Sequence, residues 1–197
     1  MKVAERSRGQ MSDSFMTAVF IILSGGFQDA YTYTCRGEVF ANAQTGNIVL
    51  LSRALFRQEW YTVLKYIIPV ISFVIGAAIT EYIHIRMKNR AGLHWRQIIL
   101  AGEIALLLIV GFLPGAVDPL ANALVSFVCA MQVQAFHKVC GHTYASTMCI
   151  GNLRSGTEAL CNYFRERDKK ALRKAATYFG VIFVFGIGAG LGSILTA

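Results

Sequence analysis

Asp29 and two Gly-Asn steps are the residues of this chain whose types and spacing could do chemistry. Gly46-Asn47 follows Gln44 and Thr45, and Gly151-Asn152 precedes Arg154. A Gly-Asn step that opens a helix leaves backbone N–H groups without intrahelical partners, and together with the positive end of the helix dipole these suit an anion. Asp29 lies inside an apolar segment, where a carboxylate needs a partner, a proton or water. It therefore reads as a proton or cation acceptor, or as the ion partner of Arg154. Gln132 and Gln134, near the end of a later apolar helix, add amides. Asp29, Gln44, Thr45, Gly46, Asn47, Gln132, Gln134, Gly151, Asn152 and Arg154 thus form a candidate binding site for a small polar or anionic solute.

The two steps belong to two copies of one plan. Sliding residues 24–55 by 105 positions onto residues 129–160 superimposes Ala30 on Ala135, Cys35 on Cys140, Gly46-Asn47 on Gly151-Asn152 and Ala54-Leu55 on Ala159-Leu160. Self-similarity at a fixed offset is the mark of a duplicated unit. The charges break the symmetry: Asp29 faces Gln134 in the alignment, and Arg154 faces Val49.

The elements that must position these residues are membrane helices. Of 197 residues 55% are hydrophobic and 15% charged, with a mean hydropathy of +0.49, which is not the composition of a soluble domain. The net charge of +8 then belongs to Lys and Arg in cytoplasmic loops, not to a nucleic-acid surface. Five cysteines, mostly within apolar runs, argue against a disulfide framework. His137, Cys140, His142 and Cys149 have the residue types of a metal site, but the first copy has Thr32, Cys35, Gly37 and Gln44 at those positions, so no metal and no cofactor is expected. No nucleophile sits beside a base at a recognisable spacing, and an enzyme is not expected.

The whole chain reads as one all-α polytopic membrane domain, residues 1–197: repeat one at about 14–86, a linking transmembrane helix at about 97–113 and repeat two at about 119–195. The first span runs from Ser14 to Cys35 and the next from Lys65 to Tyr82. Each Gly-Asn step is expected to open a broken or half-helix, because only about ten apolar residues follow Asn47, half of a membrane thickness. Glu103, near the start of the linking helix, reads as an interfacial acid that reaches towards water. Arg165–Lys174 reads as a solvated basic loop. The last span, Ala175–Leu195, carries GIGAGLGS, a face suited to close packing or to a homodimer. Either both short elements cross, giving parallel repeats, or both are re-entrant, giving inverted ones. The distribution of Lys and Arg favours inversion with the N-terminus cytoplasmic.

The run GGFQDAYTYTCRGEVFANAQTGNIVLL resembles the signature of the YoaK-type bacterial membrane proteins, a domain of unknown function. MQVQAFHKVCGHTYASTMCIGNLRSGTEAL resembles that family's second block. The likeness covers nearly the whole chain, and the family's characteristic positions fall on Gly26, Asp29, Ala30, Phe40, Asn42, Thr45, Gly46 and Asn47. The second step departs from it, with Ile150 where a threonine commonly precedes Gly-Asn. The resemblance implies a multi-pass fold in a bacterial cell membrane and supplies no activity.

Paired half-helix starts are how many repeat-built secondary transporters make their sites, so transport of a small polar or anionic solute, with or against a proton, is the expected function. Its expected partners are the lipid bilayer and a small-molecule or ion substrate. The alternative is a membrane scaffold or partner-binding protein in which the same residues form a closed hydrogen-bonded core. A channel ranks below both.

Overall fold

The computed structural model describes residues 15–87, 94–139, 142–144 and 146–196. The basic N-terminus, the centre of the linker before Trp95, Cys140 and the side chain of His142 lie outside the described residues. Among the described residues the chain is almost wholly helical: α1 (Phe15–Cys35), α2 (Gln44–Phe56), α3 (Trp60–Met87), α4 (Trp95–Gly111), α5 (Asp118–Ala135), α6 (Cys149–Glu166) and α7 (Lys169–Thr196). Two two-residue strands, β1 (Lys138–Val139) and β2 (His142–Thr143), pair antiparallel between α5 and α6.

Local chemistry sets the helix ends. α4 begins in a capping box, in which His94 Nδ1 accepts from Arg96 N (3.3 Å) and Gln97 Oε1 accepts from His94 N (3.2 Å). α5 begins with Asp118 and Pro119, an acid at the positive dipole end and a residue whose missing N–H costs nothing there. α2 and α3 are joined by a tight turn with Gln58 in the left-handed region (φ 58°), and α6 and α7 by one with Arg167 there (φ 56°). The basic block 165–174 is therefore not a loop. Asp168 Oδ1 accepts from Lys170 N (2.9 Å) at the start of α7, and Lys, Arg, Ala and Leu are good helix formers, so the block forms the end of α6 and the first turns of α7.

Among the described residues three helices are long and apolar enough to cross a bilayer: Trp60–Met87, Gly115–Ala135 including the 3-10 turn before α5, and Lys169–Thr196. Only 22% of the most apolar window in the first, and 17% in the last, is buried within the chain. So much exposed apolar surface, Ile71, Val74 and Ile75 on α3 and Phe183, Leu191 and Ile194 on α7 among it, belongs against lipid. This is a membrane protein.

The bundle is built from two close pairs. α1 packs along α7 and α5 along α3, each at a glycine where backbones meet. A Cβ on Gly26 would collide with Phe185 O, one on Gly188 with Leu23 O, and one on Gly192 would lie 2.7 Å from Phe27 O. In the other pair a Cβ on Gly76 would lie 2.5 Å from Phe127 O. Small residues are what let membrane helices approach this closely. The Gly-rich face of the last helix is thus partly used within the chain, while Gly186 and Gly190 face open space.

Candidate functional site

Asp29 sits on α1 opposite the approach to α2. Its Oδ1 accepts from Asn42 N (2.9 Å), and the N–H groups of Ala43 and Ala41 also lie within its reach. An irregular approach inside a bundle has no ladder to satisfy its backbone, so a carboxylate aimed at consecutive N–H groups does that work. Asn47 holds the same segment from the other end. Its Oδ1 accepts from Phe40 N (3.2 Å), and its Nδ2 donates to Phe40 O (2.6 Å) and Gln44 Oε1 (3.1 Å). Gln44 Nε2 donates to Ala41 O (2.8 Å), which closes the loop on itself.

The second approach reaches the same turn of α1. Asn42 Nδ2 donates to Gly25 O (2.9 Å), and a Cβ on Gly25 would lie 2.8 Å from Thr147 Cγ2 and 3.2 Å from Gln132 Nε2. Gly25 is thus where the two approaches and α5 come together, and it has to be small. A polar seam runs on from it between α1 and α5. Gln28 Nε2 donates to Ser24 Oγ (2.7 Å) and more weakly to Gln132 Oε1 (3.5 Å), Cys129 Sγ donates to Gln28 Oε1 (3.0 Å), and Gln132 Nε2 donates to Ile21 O (2.7 Å). Asn42 Oδ1, Ser146 Oγ and Thr147 Oγ1 are buried here without a hydrogen-bond partner among the described residues. Orphans of this kind are costly and point to a place that handles polar matter.

The seam opens on a cavity of about 420 Å³. Ser24, Gln28, Tyr31 and Arg36 form its polar wall, and Phe27, Leu107, Val110 and Val125 its apolar one. Arg36, just past the end of α1, closes one end. Its Nε donates to Tyr31 Oη (2.6 Å), one Nη to Asp118 Oδ1 (2.9 Å) and the other to Leu113 O (2.8 Å), while Asn122 Nδ2 donates to Arg36 O (2.8 Å). Burial opposes the charge, but the bonds to Asp118 and Tyr31 raise the guanidinium above its ordinary range, so it stays ionised. On its far side Arg36 also lines a second pocket of about 290 Å³, with Lys65, Asp118 and Asn122. One side chain therefore separates two cavities.

Of the residues the sequence singles out, Asp29, Gln44 and Asn47 gather around the first approach, Gly46 packs against the Phe40 ring, and Gln132 joins the seam. The rest lie apart. Thr45 is exposed; Gln134 Nε2 donates to Glu81 Oε2 (2.7 Å) on α3; Gly151 faces open space; Asn152 is buried and donates to Met148 O (3.1 Å). Arg154 is exposed, and among the described residues Asp29 has no ion-pair partner. Among the described residues no three of His, Cys, Asp and Glu are grouped to hold a metal. Sequence reasoning missed Ser24, Gln28, Asn42, Cys129 and Arg36 as a set. The visible signal was the run of polar side chains at 24, 28, 29 and 36, but only the placement of α5 reveals which of them turn inward.

A family model described as "Protein of unknown function (DUF1275)" matches residues 17–197. The resemblance to the YoaK-type proteins agrees with it. No curated protein and no solved structure matches the chain.

Proposed function

The chain belongs to this family of unknown function, and we propose from its geometry that it is a secondary transporter of a small polar or anionic solute, coupled to protons. The observation that carries the reading is the seam of buried, partly unsatisfied polar groups that opens through Ser24 and Gln28 onto a cavity of about 420 Å³ in a membrane-spanning bundle. A cavity of that size, mostly apolar with a few converging polar groups, suits a small metabolite.

A duplicated architecture is part of the proposal. Both halves run as a helix, an approach, a second helix (13 residues in α2, 18 in α6), a tight turn at a left-handed residue and a helix of 28 residues. The first helix of each half packs on the last helix of the other. Its 13 residues make α2 about 20 Å long at about 1.5 Å per residue, short of a hydrocarbon core of roughly 30 Å, which supports a half-helix. On this reading each approach brings its polar residues to Gly25 from its own half of the fold, in a bacterial cell membrane with the N-terminus cytoplasmic.

A scaffold is the second reading, favoured by the closed hydrogen bonding of Asn47 and of Gln28 with Gln132. Uptake by proteoliposomes separates them. Acetate, lactate, phosphate and sulfate would be offered with and without a proton gradient. Gradient-driven accumulation of any of them supports transport; the absence of uptake, together with a cavity closed to water-borne reagents, supports the scaffold.

A further inference from the structure

The carboxyl with nothing to bind is not Asp29 but Glu103. Read as an interfacial acid in the sequence, it is only 3% exposed, and its Oε1 has no hydrogen-bond partner among the described residues. Its surroundings explain why. On the same face of α4, one turn to either side, lie Ile99 and Leu106, which pack with Ile21 and Met131. Val110, further along that face, packs with Ala121, Val125 and Cys129. Glu103 is thus set between two apolar clusters.

An ionised carboxylate without a partner cannot be held in such a place at acceptable cost, whereas the neutral acid can. A metal or alkali cation would need several oxygen ligands, and among the described residues no acidic, cysteine or histidine group is clustered to supply them. The ligand that a single carboxyl can bind alone is a proton. Asp29 differs because its oxygens are committed to the backbone N–H groups of the first approach, which call for an acceptor.

We propose that Glu103 is a proton-binding site, its carboxyl holding a proton in the apolar setting between these two clusters. Cys129, on α5, lies within electrostatic reach of both Glu103 and Asp29 and donates to Gln28 Oε1. The titratable and charged groups on the packed elements include Cys129 on α5 and Asp29 on α1, with His84 and Glu81 of α3 near the Trp95 end, about two turns away, and Arg96 on α4 itself; Asp118 at the start of α5 is paired with Arg36, and Arg86 of α3 lies over the Tyr82 ring. His84 and Glu81 are engaged with each other (3.6 Å), and Glu81 also with Gln134. As the coupling proton of a transporter the site rests on the transport reading; as a proton site it does not.

Infrared difference spectroscopy on the full chain in lipid vesicles tests it without any solute. The expected result is a carbonyl stretch of a protonated carboxylic acid at neutral pH, present in the wild type and in D29N and lost in E103Q. Where E103Q does not fold, E103D replaces it and is expected to shift that band. A wild-type spectrum without the band, or a band that E103Q retains or E103D leaves unmoved, overturns the proposal. A band that behaves as expected in a protein that moves no solute leaves the proton site standing and removes only its coupling role.

Discussion

Asp29 and Asn42, on either side of the turn after α1, are joined by a 2.9 Å hydrogen bond from the Asn42 backbone N–H to the Asp29 carboxylate. That bond makes a carboxylate the cap of an irregular segment. Irregular backbone is tolerated at membrane depth only where something satisfies it. Asp29→Ala should therefore destabilise the protein by about 1.5–3 kcal/mol, the range for hydrogen bonds to charged groups. Asp29→Asn keeps an acceptor oxygen and should cost less. Thermal unfolding in detergent checks the order; equal losses in the two variants would contradict the capping role.

Asn47 and Thr45 should part company although they share one motif. Asn47 is fully buried and holds both the N–H and the C=O of Phe40, so Asn47→Ala leaves two backbone groups unpaired, at about 1–3 kcal/mol each. Thr45 is exposed, and Thr45→Ala should be close to neutral. Melting temperatures of the two variants settle the contrast.

How much of this was legible in the sequence follows from the same pair. Membrane character and an almost wholly helical chain could be read, because apolar runs are local signals. Which side chains meet could not. Asn42 reaches Gly25, Gln28 reaches Gln132, and Arg36 reaches Asp118 across 82 residues, and periodicity carries no record of such partners. Glu103 misled because nearness to a helix start says nothing of which face is turned inward. The basic block misled because charge was read as loop, although Lys and Arg are as content in a helix as in solvent.

The last helix offers a test of packing. Gly188→Ala and Gly192→Ala push a methyl group against the backbone of α1 and should cost about 1–3 kcal/mol each. Gly186→Ala and Gly190→Ala meet nothing and should be neutral or slightly stabilising. Thermal stability in detergent that showed the reverse order would contradict the α1–α7 pairing.

Arg36 and Asp118 hold the partition between the two cavities, with side chains 9% and 31% exposed. Removing one partner leaves the other charge without its mate, so Asp118→Asn should loosen the partition. The expected outcome is faster reaction of a cysteine at position 24 with thiol reagents in Asp118→Asn than in the parent. An unchanged rate would mean that this ion pair does not control access.

The measurement that tests the central claim most directly is the accessibility of Ser24→Cys. With Cys35, Cys129, Cys140, Cys149 and Cys161 replaced, the residue that lines both seam and cavity would meet membrane-impermeant thiol reagents applied from each side in turn. Transport predicts labelling from both sides, because an alternating pathway must expose the cavity to each. Labelling from neither side would show a dry, closed core, and would contradict it.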